Sequence, residues 1–219
     1  DVINMLRGKK GTLVEIKVLR NHAADLLNFS IIRDKIPINS LDASYMLDRN
    51  TGYVKLNKFS ATTLDEFSEA MTGLVKENLK NLILDLRGNG GGYLKTAIDI
   101  ADQFLEDNQL IVYTNGINEP KREYKSTANG IFKEGNLIVL VDETSASASE
   151  IVAGAIQDWD RGVIIGRRSY GKGLVQKPYF LTDGSVVRLT TAHYYTPSGR
   201  CIQKPYDQGV QEYRSDFTQ

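Results

Sequence analysis

Two near-continuous apolar runs, 81–86 (NLILDL) and 136–141 (NLIVLV), each end in a turn of small residues and each lead into a helix-forming segment. Runs of this kind are typical of strands covered on both faces. The first passes through Arg87–Gly92 (RGNGGG) to a stretch with Leu94, Ala97, Ile98, Ala101, Phe104 and Leu105 on one helical stripe. The second passes through 142–149 (DETSASAS) to the helix EIVAGAIQD, then to the strand GVIIGRR and the glycine-flanked loop SYGKG. This alternation predicts an α/β domain with a mainly parallel sheet and flanking helices.

The segments on either side are less regular. DVINMLRGKKGT predicts a short helix with Val2, Met5 and Leu6 on one side, followed by the alternating strand TLVEIKVLR and a second strand over Leu27–Asp34. These pieces bury too little to stand alone, so the chain reads as starting inside a module. After a loop through Pro37, GYVKLNKF reads as a strand, and Thr63 with Glu66 makes a capping-box pattern before a helix with Leu64, Phe67, Met71, Leu74 and Val75 inward. LVQKPYFL and SVVRLTTAHYY, joined across TDG, read as a hairpin at one edge, and the polar tail after Tyr206 as loosely held.

Charge narrows the partners. Twenty-seven basic residues balance 27 acidic ones over 219 residues, so no basic stripe points to nucleic acid. No apolar run approaches the ~20 residues that span a bilayer, and no signal peptide is visible. Cys201 is the single cysteine, so an intrachain disulfide is impossible.

In α/β units reactive groups gather where strands end and helices begin, because backbone N–H groups are free there and the helix terminus is partly positive. The Arg87–Gly92 turn is too short in glycine for a dinucleotide fingerprint: counting from Gly88, the sixth position is Tyr93. Gly166–Lys172 matches the start of a phosphate loop, but Gly173 stands where Ser or Thr must hold magnesium, and a strand follows, not a helix. Neither nucleotide reading survives. The second turn offers Ser145, Ser147 and Ser149, each of which could simply be a helix cap. His22 and His193 have no motif linking them to it, which disfavours a histidine triad and leaves Lys172, between two glycines, as the candidate base. The residues alone do not choose among the three serines.

SASASEIVAGAIQDWDRGVIIGRRSYGKGLVQ (145–176), with DLRGNGGG upstream and YYTPSGRCIQ downstream, closely resembles the C-terminal processing peptidases, tail-specific serine proteases of the bacterial envelope and plant plastid lumen. The resemblance covers essentially the whole chain. It implies a crotonase/ClpP-like protease core over 37–219, preceded by a C-terminal PDZ remnant, a helix and two strands, over 1–36. On this resemblance Ser147 is the nucleophile, Lys172 the general base and Gln176 the group that orients the lysine. Ala148 N–H and a glycine N–H, from Gly92 or otherwise Gly91, form the oxyanion hole, and Glu150 plays a supporting role. Gly88 and Gly90 stand where relatives often carry asparagine and proline or serine.

A lysine amine takes a proton only when neutral, so this chemistry asks for a desolvated Lys172. No metal, cofactor or nucleotide is implied. The implied partners are unstructured C-terminal segments of protein substrates, bound in extended form; the implied location is the bacterial envelope, in the periplasm, with any membrane association supplied by regions outside this chain. No oligomeric state is implied. The rival readings are a catalytically silent peptide-binding module of the same fold and, further off, a crotonase-like acyl-CoA enzyme.

Overall fold

The computed structural model describes residues 2–21, 25–34, 39–207, 209 and 213. His22, the Pro37 loop and nearly all of the tail after Asp207 lie outside the described residues. The chain divides into two units, Asp1–Ile38 and Asn39–Gln219.

The first unit holds helix α1 (Val2–Leu6) and strands β1 (Leu13–Val18) and β2 (Leu27–Ile32), which pair antiparallel. The short helix forms as expected, with Val2, Met5 and Leu6 all exposed, because five residues make too little helix to bury a stripe. Arg33 ties the unit together, donating to the carbonyls of Met5, Leu6 and Leu13 and to Thr12 Oγ1.

The second unit runs β3 (Leu41–Met46), β4 (Thr51–Leu56), α2 (Thr63–Lys76), β5 (Asn81–Asp85), α3 (Leu94–Asp102), β6 (Leu110–Asn115), β7 (Arg122–Lys125), β8 (Asn136–Val141), α4 (Ala148–Asp158), β9 (Val163–Gly166), β10 (Leu174–Phe180) and β11 (Val186–Tyr195). Five strands form one sheet in the order β3-β4-β5-β8-β9, parallel throughout except for the β3–β4 pair. A mixed α/β fold is therefore present. The expected hairpin, β10–β11, belongs to something larger: a second, antiparallel sheet of order β10-β11-β6-β7, two of whose strands the sequence pattern did not disclose.

The five-stranded sheet is covered on one face, not on both. Leu82, Leu84, Leu137, Val139 and Val141 join Phe67, Met71, Ile100, Phe104, Ile151 and Ile156 in a single core. On the opposite face Ile83, Ile138 and Leu140 are half-buried, so burial alternates along β5 and β8 in the ordinary way of a sheet with one covered side. Phe67 of α2 meets Phe104 edge to face, with ring centroids 5.8 Å apart. The α2 stripe holds except for Val75, which is 48% exposed at the last turn. Nor is there a capping box at its start: Glu66 accepts the N–H groups of Ser40 and Leu41, at 2.7 and 3.0 Å, so its carboxylate anchors β3, while Thr63 Oγ1 accepts the N–H of Ser60.

Candidate active site

The site is built where β5 and β8 end side by side. Asp85 closes β5 with a completely buried carboxylate that accepts the Arg87 N–H (2.9 Å), the Arg87 guanidinium and the Tyr53 hydroxyl (2.6 Å). Burial works against its charge, but the bonds from Arg87 and Tyr53 outweigh it and hold the carboxyl below the usual range. Burial and the adjacent carboxylate push the Tyr53 hydroxyl up to about 12. Asp142 does for β8 what Asp85 does for β5. Its carboxylate accepts the N–H groups of Gly88, Thr144 and Ser145 and the Thr144 hydroxyl, which together overcome its desolvation and keep its pKa low.

The two turns are locked together through Asn89, whose side chain is fully buried. Its carbonyl accepts Ala146 N–H (3.0 Å) and Ser149 Oγ–H (2.9 Å). Gly91, at φ +95°, lies against the second turn so closely that a Cβ there would stand 2.6 Å from the Ala146 oxygen and 2.9 Å from both Ala148 N and Ser147 Cβ. Only glycine fits this approach.

The three candidate serines now separate. Ser145 is fully buried; its hydroxyl donates to Leu86 O (2.8 Å) and accepts the Asp142 N–H (2.9 Å). Ser149, also fully buried, spends its hydroxyl on Asn89. Ser147 is half-buried, sits immediately before α4, and adopts φ 56°, ψ −108°, a left-handed conformation that an L side chain rarely takes. Strain of this sort clusters at functional sites.

Glu150, in the first turn of α4, is buried and receives four donors. Oε1 accepts the Ser169 hydroxyl (2.8 Å) and Gly171 N–H (2.6 Å); Oε2 accepts Ser147 N–H and Lys172 N–H, each at 2.8 Å. The amide nitrogens of Ser147 and Lys172 thus lie within twice that distance of each other. The 169–173 loop is pinned on its far side, where Gly173 N–H donates to Gln203 Oε1 (3.0 Å) and Gly171 O accepts Lys204 N–H (2.9 Å). The Lys172 side chain is exposed, as is that of Gln176, which lies on β10 beside a bulge that sets Val175 opposite Ala192 and Gln176 opposite Thr190. The burial that a neutral lysine asks for is absent from this state, and no hydrogen bond joins Lys172 Nζ to Ser147 Oγ.

Of the candidate oxyanion donors, Gly91 N–H is engaged by Asn89 Oδ1 at 2.9 Å. The N–H groups of Gly92, Gly90 and Ala148 have no acceptor among the described residues. His193 lies inside β11, opposite Leu174 and Asn115. Sequence reasoning missed Asn89 and Asp142, whose side chains bind backbone groups across the turns, contacts that leave no pattern of side-chain types in the sequence.

A strand, strained serine and helix beside a glycine turn make the site of a hydrolase-like α/β protein, and comparison with known proteins says which. Peptidase family S41 matches residues 50–212. The chain is 36% identical over 201 residues to carboxy-terminal processing protease CtpB of Bacillus subtilis, covering 91% of this chain and 42% of that protein. It is 37% identical over 203 residues to the carboxyl-terminal-processing protease of Synechocystis, covering 91% and 47%. Among solved structures, the photosystem II D1 C-terminal processing protease matches with a TM-score of 0.70 at 32% identity, over 90% of this chain and 54% of that one. The chain belongs to peptidase family S41, a family of serine-type peptidases, and spans about half the length of the curated relatives it matches.

Proposed function

We propose that this chain is the catalytic part of a serine endopeptidase that cleaves near the C-terminus of protein substrates, with Ser147 as nucleophile, Lys172 as general base and Gln176 orienting the lysine. The observation that carries this reading is the Glu150 carboxylate, whose Oε2 holds the backbones of Ser147 and Lys172 together. Ser147 Oγ attacks the scissile carbonyl while its proton passes to Lys172 Nζ. The oxyanion so formed is met by the N–H groups of Ala148 and Gly92. Collapse expels the amine, which takes the proton from Lys172, and leaves an acyl-enzyme that water hydrolyses.

Residues 1–36 are read as the end of a PDZ domain and 37–219 as a crotonase/ClpP-like core. The helix and antiparallel pair of the first unit support the former. Unstructured C-terminal segments as substrates and a place in the bacterial envelope belong to the same proposal. A fluorophosphonate probe tests its centre: wild-type protein is labelled at Ser147 and Ser147→Ala is not. The exposed Lys172, unbonded to Ser147, favours a second reading, a silent peptide-binding module. Absence of labelling in wild-type protein that still binds extended peptides would establish that module instead.

A further inference from the structure

Asn89 spends its hydrogen-bonding groups on the frame around Ser147. Nδ2 donates to Leu56 O at the end of β4 (2.9 Å), Oδ1 accepts Gly91 N–H (2.9 Å), the carbonyl accepts Ala146 N–H and Ser149 Oγ–H, and the amide donates to Leu86 O (3.2 Å). One residue therefore grips β4, the glycine turn and the residues on either side of Ser147. Its amide is matched to the task, since one end must donate to a carbonyl while the other accepts from an N–H, in a space with no solvent. Aspartate offers no donor when ionised, and alanine offers neither.

The bond to Gly91 has a directional consequence. By turning the Gly91 N–H inward it removes that group from the donors available to a substrate, while the N–H of the next residue, Gly92, stays unengaged, as does that of Ala148. We propose that Asn89 is a positioning residue that sets the spacing and aim of the Gly92 and Ala148 N–H groups, and so governs stabilisation of the tetrahedral intermediate without touching the substrate. The proposal rests on Ser147 being the nucleophile. Donors that are free but misaligned by a fraction of an ångström lose much of their value, because the oxyanion has to be met without reorganisation.

The test compares wild type with Asn89→Ala and Asn89→Asp on a cleavable peptide. The expected result is kcat lowered about 100-fold with KM within about threefold, and affinity for a peptide aldehyde, which forms a tetrahedral adduct, weakened in step with kcat. Binding of the uncleaved peptide to Ser147→Ala should match its binding to Ser147→Ala/Asn89→Ala. Folded Asn89 variants with wild-type kcat, or with KM raised as much as kcat falls, overturn the proposal. Failure of wild-type protein to react with fluorophosphonate overturns the nucleophile itself, a distinct result. Should the variants not fold, amide exchange in the wild type decides: Gly91 N–H should exchange at least about tenfold more slowly than those of Gly92 and Ala148, and equal rates would overturn the inward bond.

Discussion

The N–H groups of Ser147 and Lys172 donate to one and the same oxygen, Oε2 of Glu150. One of these residues follows β8 and the other follows β9, so the strand between them returns the chain to where it left. The donors are backbone N–H groups, so the junction does not depend on the side chains at these two positions, proline excepted. Its shared acceptor is the Glu150 carboxylate.

Glu150→Gln should accordingly damage both fold and activity. The carboxylate receives four donors, and a carboxamide must turn its NH2 towards one pair of them. Hydrogen bonds to a charged group contribute about 1.5–3 kcal/mol each, so a loss of about 2 kcal/mol or more is expected in chemical denaturation, with labelling of Ser147 slowed about 100-fold. Labelling at the wild-type rate would show that the clamp does not place the nucleophile.

The three serines should divide cleanly between stability and rate. Ser147→Ala leaves unfolding nearly unchanged and abolishes turnover. Ser145→Ala removes a fully buried hydroxyl that serves Leu86 O and Asp142 N–H, and should cost about 1–3 kcal/mol with catalysis largely kept in the folded fraction. Ser149→Ala should resemble it, with a modest additional loss in rate through Asn89. Equal inactivation by all three substitutions contradicts the assignment.

Lys172→Arg distinguishes charge from proton transfer. The guanidinium keeps the charge and much of the length but stays protonated at any workable pH, so this variant should be as inactive as Lys172→Ala. Gln176→Ala should slow acylation less, because the proton acceptor remains. Substantial turnover by Lys172→Arg would place the base elsewhere.

The strand–turn–helix units were legible because apolar runs ending in glycine and serine clusters carry their own local signal. β6 and β7 were not: REYK has no apolar alternation, and LIVYTN finds its partners in the Arg122–Lys125 strand and in residues 193–195, far along the chain. Glu66 misled because a capping pattern and a long-range anchor use the same carboxylate. In the site, the family resemblance pointed to the position of Ser147, while what sets its neighbours apart, their buried hydroxyl bonds to Leu86 and Asn89, is purely tertiary.

Stability should fall in acid with Asp85 as one source. Its carboxyl is held below the ordinary value when folded, so the unfolded chain binds the proton more readily. The contribution is complete above the unfolded value of about 4 and is lost as pH falls through the depressed folded one. Tyr53 works in the opposite sense: its hydroxyl, raised to about 12, adds stability that is complete below about 10 and disappears as pH climbs through the folded value. Thermal melts of Asp85→Asn should show a shallower acid limb than wild type, and an unchanged limb would remove Asp85 from the account.

Ser147 holds a backbone conformation that glycine would adopt without strain. A laboratory evolution experiment that rewarded only soluble, heat-resistant protein would therefore drift towards glycine at the position proposed for the nucleophile, gaining robustness at the expense of the proposed chemistry. If Ser147 is the proposed nucleophile, libraries built from this chain need an activity screen at every round to retain it.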